Sequence, residues 1–522
     1  MADAPREFRV LLTAEEAYPA LEREFLNARE EIRAGFRIFD LTTRLHSEEA
    51  KKIGETWLDL VVHTLDRGVK FDLTVTDFDP VVRPDDHVYV WRCIHAMATA
   101  AELSRRGDLF TFRADMHPAR VGLLPRLALW RRLLREIGEK LDMIERDDDA
   151  VRRNKLRHMP RFRRLLLEKA GRHMARRSPP PPLVPVTHHQ KLAVFDRERL
   201  YIGGLDLNDR RWDTKEHTRA AEETWHDTQV IVTGPAAQEA DRHLQNFRSV
   251  VRRGRPIRTQ HLLRTISSKR KLEMPFLSPK PVVDELARIH LDQVAKAERL
   301  IYLESQFYRD RPLAEALAKR AQENPDLELI LILPVAPETV AFPPTGEVTS
   351  DARFGEKLQA ECVDITLEGF GGRAFIGCPA QTRTAPPELV AEQGKGDARS
   401  VWYAAPLIYL HAKVSLFDSR LGIVSSANLN GRSMRWDTEA GVATESVAEA
   451  RYLKERCYAH WMGGEVEPEF LDDATARGAW AERARRNATL APEERHGFIL
   501  PYSPEPAEQI GETLPGVPEE MV

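Results

Sequence analysis

The 522-residue sequence is short of several signals that would narrow its class at once. It has four cysteines, Cys93, Cys362, Cys378 and Cys457, far apart and with no CxxC pair. That spacing argues against a cysteine zinc site and a disulfide-stapled fold, and it fits a reducing compartment. No stretch approaches the roughly 18 unbroken apolar residues of a membrane span. The opening residues 1–25 carry early acids and no continuous apolar core, so no Sec-type signal peptide is expected. Net charge is also scarce. With 77 basic residues against 81 acidic ones, nothing in the total points to a polyanionic partner.

What is present reads as a water-soluble globular chain, 42% hydrophobic and 30% charged. It is too long for one ordinary core, so two or more lobes are expected. Two passages read as the same unit. In the first, an amphipathic helix over 14–34 leads to an apolar strand at 36–41, and a helix over 50–67 precedes a strand at 69–75. In the second, a helix over 282–299 leads to a strand at 300–303, and a helix over 312–324 precedes a strand at 327–333. Helices alternating with short β-rich runs predict α/β lobes with largely parallel mixed sheets flanked by helices. A tandem duplication gives the expected division: an N-terminal lobe over 1–260, a C-terminal lobe over 261–467, and a polar, Pro-rich, loosely packed tail over 468–522.

The halves differ by about 41 extra residues in the first, which fall in an Arg-rich stretch expected to be helical, roughly 123–177. Between Val151 and Arg177 stand eleven Lys or Arg against one acid, Glu168. Beside leucines, such residues suit anionic headgroups at a membrane surface. Equally, they suit a solvated helical hairpin whose arginines pair with acids elsewhere. A proline run, Pro179 to Pro182, ends the stretch and delivers the chain extended.

The sharpest signal is His189-Gln190-Lys191 followed by Asp196, repeated as His411-Ala412-Lys413 followed by Asp418. In a strand, residues i and i+2 share a face, so each His and Lys point the same way. An imidazole beside an ammonium offers a nucleophile or proton carrier next to a phosphate-binding charge. One HxKxxxxD could arise by chance among 17 histidines. Two, each behind an apolar strand and followed by a similar tail, very rarely would. The tails run Gly-Gly-Leu-Asp-Leu-Asn over 203–208 and Ser-Ser-Ala-Asn over 425–428. Small residues there let backbone and short polar groups approach an anion closely.

At these residues the chain resembles the phospholipase D superfamily, in its two-motif, lipid-acting branch. The resemblance covers about residues 8–465. It rests on His-His-Gln-Lys at 188–191, Arg-Trp-Asp at 211–213, Thr-Trp-His-Asp at 224–227 and Ile-Tyr-Leu-Glu-Ser-Gln-Phe at 301–307. Ser305 and Ser425 depart from the family pattern, which has Asn and Gly there.

The resemblance implies two α/β lobes related by a pseudo-twofold axis, with the site in the cleft between them. It implies a two-step displacement in which His189 attacks phosphorus and His411 acts first as acid, then as base. The reverse assignment stays open, because the halves are nearly symmetric. Lys191 and Lys413 would hold the non-bridging oxygens, with Ser426, Asn428 and Asn208 adding hydrogen bonds. Glu439 would orient His189, and Asp227 would orient His411. Asp196 and Asp418 would serve the fold. No metal or other cofactor is called for, since the lysines stand in its place.

His188 and His226 are read as packing or substrate contacts alike. Trp212, Trp225 and Trp436 are read as core more readily than pocket, and His87 and His290 as ordinary surface or core residues. The expected activity is that of a phospholipase D, releasing phosphatidate and a free alcohol from a glycerophospholipid, with water or an alcohol as acceptor. A phosphatidyltransferase of the cardiolipin synthase type is the alternative, and a nuclease comes third. A degenerate, non-catalytic scaffold would need a broken motif, and both motifs are intact. The protein is expected to be a monomer with no obligatory nucleic acid. It should be cytoplasmic or peripheral to a membrane, or else secreted without a cleavable Sec signal.

Overall fold

The computed structural model describes residues 6–169, 172–343 and 346–521. Two mixed sheets organise it. The first has seven strands in the order Phe8–Leu12, Thr228–Thr233, Arg199–Gly203, Leu192–Phe195, Glu31–Phe36, Lys70–Thr76 and Phe110–Asp115. The second has nine, in the order Lys280–Asp284, Leu262–Ser268, Glu439–Ala443, Leu421–Ser425, Lys413–Phe417, Leu300–Ser305, Glu328–Ile332, Ala374–Pro379 and Ile499–Pro501. Helices flank both sheets, as expected of an α/β chain.

The sheets are less parallel than the pattern predicts. Parallel pairing is confined to three strands in each: Glu31–Phe36 with Lys70–Thr76 and Phe110–Asp115, and Leu300–Ser305 with Glu328–Ile332 and Ala374–Pro379. There a helix carries the chain back between strands, the connection parallel order requires. The strands that follow each HxK turn back through tight hairpins and pair antiparallel, Leu192 with Ile202 and Val414 with Val424.

Internal symmetry holds at single-residue register. Ile32 pairs with Phe195 in the first sheet, and Ile301 pairs with Phe417 in the second. The aspartate that closes each motif does the same task in both halves. Asp196 accepts hydrogen bonds from the backbone N–H groups of Arg29, Glu30 and Glu31 at 2.8–3.0 Å. Asp418 accepts from Glu298, Arg299 and Leu300 at 2.7–3.0 Å. Both sit at φ 51°, in the left-handed region that Asp tolerates better than most residues, at the start of a hairpin turn.

The sheets meet through a shared core. Leu192, Val194 and Val230 of the first pack in one cluster with Ala412, Val414, Val424 and Val442 of the second. Burying each such aliphatic side chain contributes roughly 1.5–3 kcal/mol, so this seam is a strong one. Outer cores lie on the far faces, with Phe25, Trp57 and Phe71 in the first half and Leu317, Leu331 and Val363 in the second.

Several boundaries differ from expectation. The first helix ends at Asn27 and its strand begins at Glu31, because Ile32, Ala34 and Phe36 alternate inward. The expected 50–67 helix is a short turn at Ala50–Lys52 and then a helix over Trp57–Asp66 with a Thr56/Asp59 capping box. The basic stretch is helical only as far as Arg163, after which Leu166–Lys169 and Arg172–Ala175 pair as a hairpin. Ala170 and Gly171 lie outside the described residues.

The C-terminal stretch is not loosely packed. A helix over Ala476–Thr489 buries Trp480 and Ala484 completely, and Ile499–Pro501 pairs with Ala374–Pro379 as the edge strand of the second sheet. Phe470, Ile499 and Leu500 are buried with them, so a polar composition concealed an integral element.

Candidate active site

Each motif histidine stands just ahead of its strand, and backbone pairing with the opposite half fixes where it ends up. The N–H groups of His189 and Gln190 both donate to the Thr438 carbonyl, at 2.9 and 2.8 Å. In the other half, His226 N–H donates to Tyr409 O at 2.9 Å, and His411 N–H donates to His226 O at 2.8 Å. Each histidine is therefore delivered beside a carboxylate from the other half.

The two contacts match. His189 Nδ1 lies 3.0 Å from Glu439 Oε1, and His411 Nδ1 lies 2.6 Å from Asp227 Oδ2. Both carboxyl groups are fully buried. With Nδ1 facing an acid, Nε2 is the nitrogen left to act in each ring. The surroundings are adapted to the length of the acid. A Cβ on Gly204 would come within 2.2 Å of Asp227 Oδ1, so only glycine fits there. At the equivalent position, Ser426 donates its hydroxyl to the longer Glu439.

Both lysines are buried, and each donates to the carbonyl of its own motif histidine. Burial pushes the Lys413 amine down to about 7, against the opposing pull of Asp227. Burial also lowers Lys191, opposed first by Asp206. Burial raises Asp227 and Glu439 to about 7, opposed by Lys413 and Lys191 respectively. Both imidazoles are held well below their ordinary value by burial first and by their own motif lysine next. The ligand-free site thus disfavours carrying charge. An incoming anion between the lysines would offset this and let both amines keep their protons.

The residues expected to bind phosphate divide. Asn428 is buried, its side-chain carbonyl oxygen has no partner among the described residues, and an amide flip would present N–H instead. Ser426 is committed to Glu439 and the Ala440 backbone. Asn208 is not placed for phosphate. Its side-chain oxygen accepts from Arg211 N at 3.1 Å and caps a short turn, as Asn430 does for Ser433 in the second half. By register the partner of Asn428 is Asp206, whose carboxylate accepts from Ile38 N and lies 3.8 Å from Lys191 Nζ.

The aromatic and histidine expectations sort by burial. Trp225 is core and lines the site too, its ring 4.6 Å from that of His411. Trp436 is buried with Ala119, Val184 and Val186, while Trp212 is part-buried and stacks on His46 at 3.3 Å. His188 is buried, with Nδ1 2.9 Å from Thr438 Oγ1. His87 pairs with Asp77 at 2.6 Å in the core, and His290 is buried against Ser415.

Two features were missed in the sequence. Arg37 and Arg211 bring further positive charge, Arg37 toward His189 and Lys191 and Arg211 toward His411. Arg211 lies 3.5 Å over the Trp225 ring. His217, His226 and His460 form a buried group with ligand-type atoms within 4.8 Å of one another. His217 Nδ1 lies 2.6 Å from Asp213, and its Nε2 is 3.1 Å from His460 Nε2. These residues come from three separate segments, so no local spacing could have revealed the group.

Comparison with known proteins bears on family and fold. Residues 290–461 match the family model described as cardiolipin synthase, PLD-like domain. The chain is 22% identical to phospholipase D1 of Saccharomyces cerevisiae over 49% of its length, spanning 20% of that protein. It is 21% identical to phospholipase D alpha 4 of Arabidopsis thaliana over 55% of its length, spanning 50% of that protein. The chain therefore spans half or less of these curated relatives. The crystal structure of phosphatidylserine synthase from Haemophilus influenzae Rd KW20 shares the fold, with a TM-score of 0.51 and 12% identity, covering 92% of this chain and 93% of that one. With its two HxKxxxxD motifs meeting across a pair of related mixed sheets, the chain is similar to proteins of the phospholipase D superfamily.

Proposed function

We propose that this chain is a phospholipase D, which hydrolyses the distal phosphodiester of a glycerophospholipid to phosphatidate and a free alcohol. One observation carries the chemistry: two imidazole–carboxylate pairs, each formed between the halves on a buried carboxylate, with a buried lysine beside each. The relatives named phospholipase D support the choice of substrate.

In this reading His189 Nε2 attacks phosphorus, and the bond to the headgroup oxygen breaks as His411 Nε2–H gives that oxygen its proton. Nδ1–H of His189, held by Glu439, keeps Nε2 unprotonated for the attack. His189 is the more open of the two rings, with 13% side-chain exposure against 7% for His411. His411, now neutral, takes a proton from water as the water oxygen attacks the phosphohistidine. The N–P bond breaks and His189 is regenerated. An alcohol in place of water gives a phosphatidyl alcohol. Lys191, Lys413 and Asn428 stabilise the charge that builds on the non-bridging oxygens. No helix among the described residues is long and apolar enough to cross a membrane.

A second reading, phosphatidyl transfer to another lipid hydroxyl, is favoured by the description of the family model on residues 290–461. It uses the same first step. The test is incubation with phosphatidylcholine and phosphatidylethanolamine vesicles plus ethanol, alongside His189→Ala. Phosphatidate and phosphatidylethanol that vanish in the variant support the phospholipase. Turnover only with a lipid alcohol as acceptor favours the transferase. Cleavage of a nucleic acid with no lipid turnover overturns both.

A further inference from the structure

The basic stretch of the first half is the largest feature that the chemistry leaves unused. Residues 120–177 hold 18 Lys or Arg against eight acids, a surplus of ten in a chain whose net charge is −4. Some of these cations are paired locally, as Arg132 is with Glu136 and Lys155 with Asp147. Others, including Arg120, Arg131, Arg146, Arg153, Arg164 and Arg172, are exposed with no carboxylate in ion-pair range among the described residues. The alternative of a hairpin neutralised by acids elsewhere does not hold for them.

Apolar side chains stand in the open at one end of this stretch. The helix Leu123–Glu145 begins with Leu123, Leu124 and Leu127 exposed, the last two at 57% and 44%. A second segment, 269–280, lies against that helix end. Gly122 N–H donates to Phe276 O at 2.7 Å, and Leu124 N–H donates to Met274 O at 3.1 Å. A Cβ on Gly122 would strike the Glu273 carbonyl at 2.0 Å, so glycine is what lets the segments meet. This second segment adds Leu272, Met274 and Phe276, exposed at 60%, 47% and 41%, together with Lys269, Arg270 and Lys271. Arg270 lies 4.1 Å over the Phe276 ring. An apolar patch from two segments, rimmed by cations, is thus assembled by the fold and left uncovered.

Its position connects it to the active site. Val121 N–H donates to Leu183 O, six residues before His189, and Arg126 reaches Pro180 O. Ala119 packs with Val184, Val186 and Trp436, which leads to Glu439. The patch therefore borders the strand that supplies one histidine and the loop that supplies its acid.

We propose that the exposed leucines of the Leu123–Glu145 helix and the Leu272, Met274 and Phe276 loop form the face that docks on an anionic phospholipid bilayer, with the surrounding arginines and lysines on the headgroups. The inference deepens the lipid reading above and rests on it. Aliphatic groups buried at the acyl boundary with cations at headgroup level are what an interfacial surface needs. A nucleic acid would satisfy the cations and leave the leucines in water.

The test is flotation of the intact protein with phosphatidylcholine vesicles containing about a third phosphatidylglycerol, compared with pure phosphatidylcholine vesicles. Two sets of variants are used: Leu124→Ser with Phe276→Ser, and Arg120→Gln with Arg131→Gln and Lys271→Gln. All five positions are exposed, so folding should be retained, and circular dichroism checks this. The expected result is binding that requires phosphatidylglycerol. The basic set should lose about fivefold per charge removed, an effect that added salt reduces. The apolar set should lose about tenfold or more at any salt. Turnover of a monomeric short-chain phosphatidylcholine should be unchanged in both sets. Equal binding to both vesicles, binding unmoved by either set, or binding to duplex DNA in place of vesicles overturns the proposal. Loss of the lipid reading would instead appear as absent turnover with vesicle binding intact.

Discussion

His189 and Glu439 meet at 3.0 Å although 250 positions separate them, and Asp227 makes the matching contact with His411 at 2.6 Å. Each half thus supplies the acid that contacts the other half's histidine, so neither half holds both members of either pair. Glu439→Gln should keep the packing yet lose the charge that fixes the His189 tautomer. We expect kcat to fall about a hundredfold or more, with little change in the melting temperature. Ser426→Ala removes one hydrogen bond to that carboxylate and should cost about tenfold. A Gln variant with unchanged kcat would show that Glu439 is structural only.

The roles of the two histidines can be separated by trapping. If His189 attacks and His411 later activates water, His411→Ala should form the covalent adduct slowly and release it more slowly still. Intact mass measured after mixing with an activated phosphodiester should then show a phosphatidyl-sized addition. His189→Ala should show none. An adduct in His189→Ala and none in His411→Ala would reverse the assignment.

The sequence displayed what is local and hid what is assembled. His189-Gln190-Lys191 and His411-Ala412-Lys413 were legible because each is a short local pattern repeated beside a strand. Asp196 and Asp418 were legible as strand-closing groups for the same reason. The strand at Glu328–Ile332 could be read from the apolar run Leu329 to Leu333. Asn208 misled because it occupies a motif tail, yet the internal register equates it with Asn430 rather than Asn428. The edge strand Ile499–Pro501 was invisible because its partner lies some 120 positions upstream. The His217, His226 and His460 group was invisible for the same cause.

Gly204 gives a steric test of the carboxylate network. Its missing side chain is what admits Asp227, whose Oδ1 would sit 2.2 Å from an added Cβ. Gly204→Ala should push Asp227 off His411 and lower kcat at least tenfold. The backbone there has no positive φ, so stability should fall only by about 1–3 kcal/mol of crowding. Activity and thermal melting of the same preparation check both. Full activity in Gly204→Ala would mean that Asp227 need not contact His411.

The pH dependence should single out Lys413. Burial holds its amine at about 7, where an exposed lysine would titrate near 10.4. Raising the pH through 7 therefore removes positive charge from the ligand-free site, and the hold on a phosphodiester goes with it. The expected result is that kcat/KM falls on the alkaline side from about pH 7, as a macroscopic value shared with the adjoining His411–Asp227 pair. Bound substrate is an anion and favours the protonated amine, so the limb in kcat should lie at higher pH than the limb in kcat/KM. Lys413→Arg replaces the titrating group with one that stays charged. That variant should be slower, because a guanidinium fills the space differently, yet its alkaline limb should move upward by more than a unit. A wild-type limb near pH 10, or one that stays at 7 in Lys413→Arg, would remove Lys413 from phosphate binding.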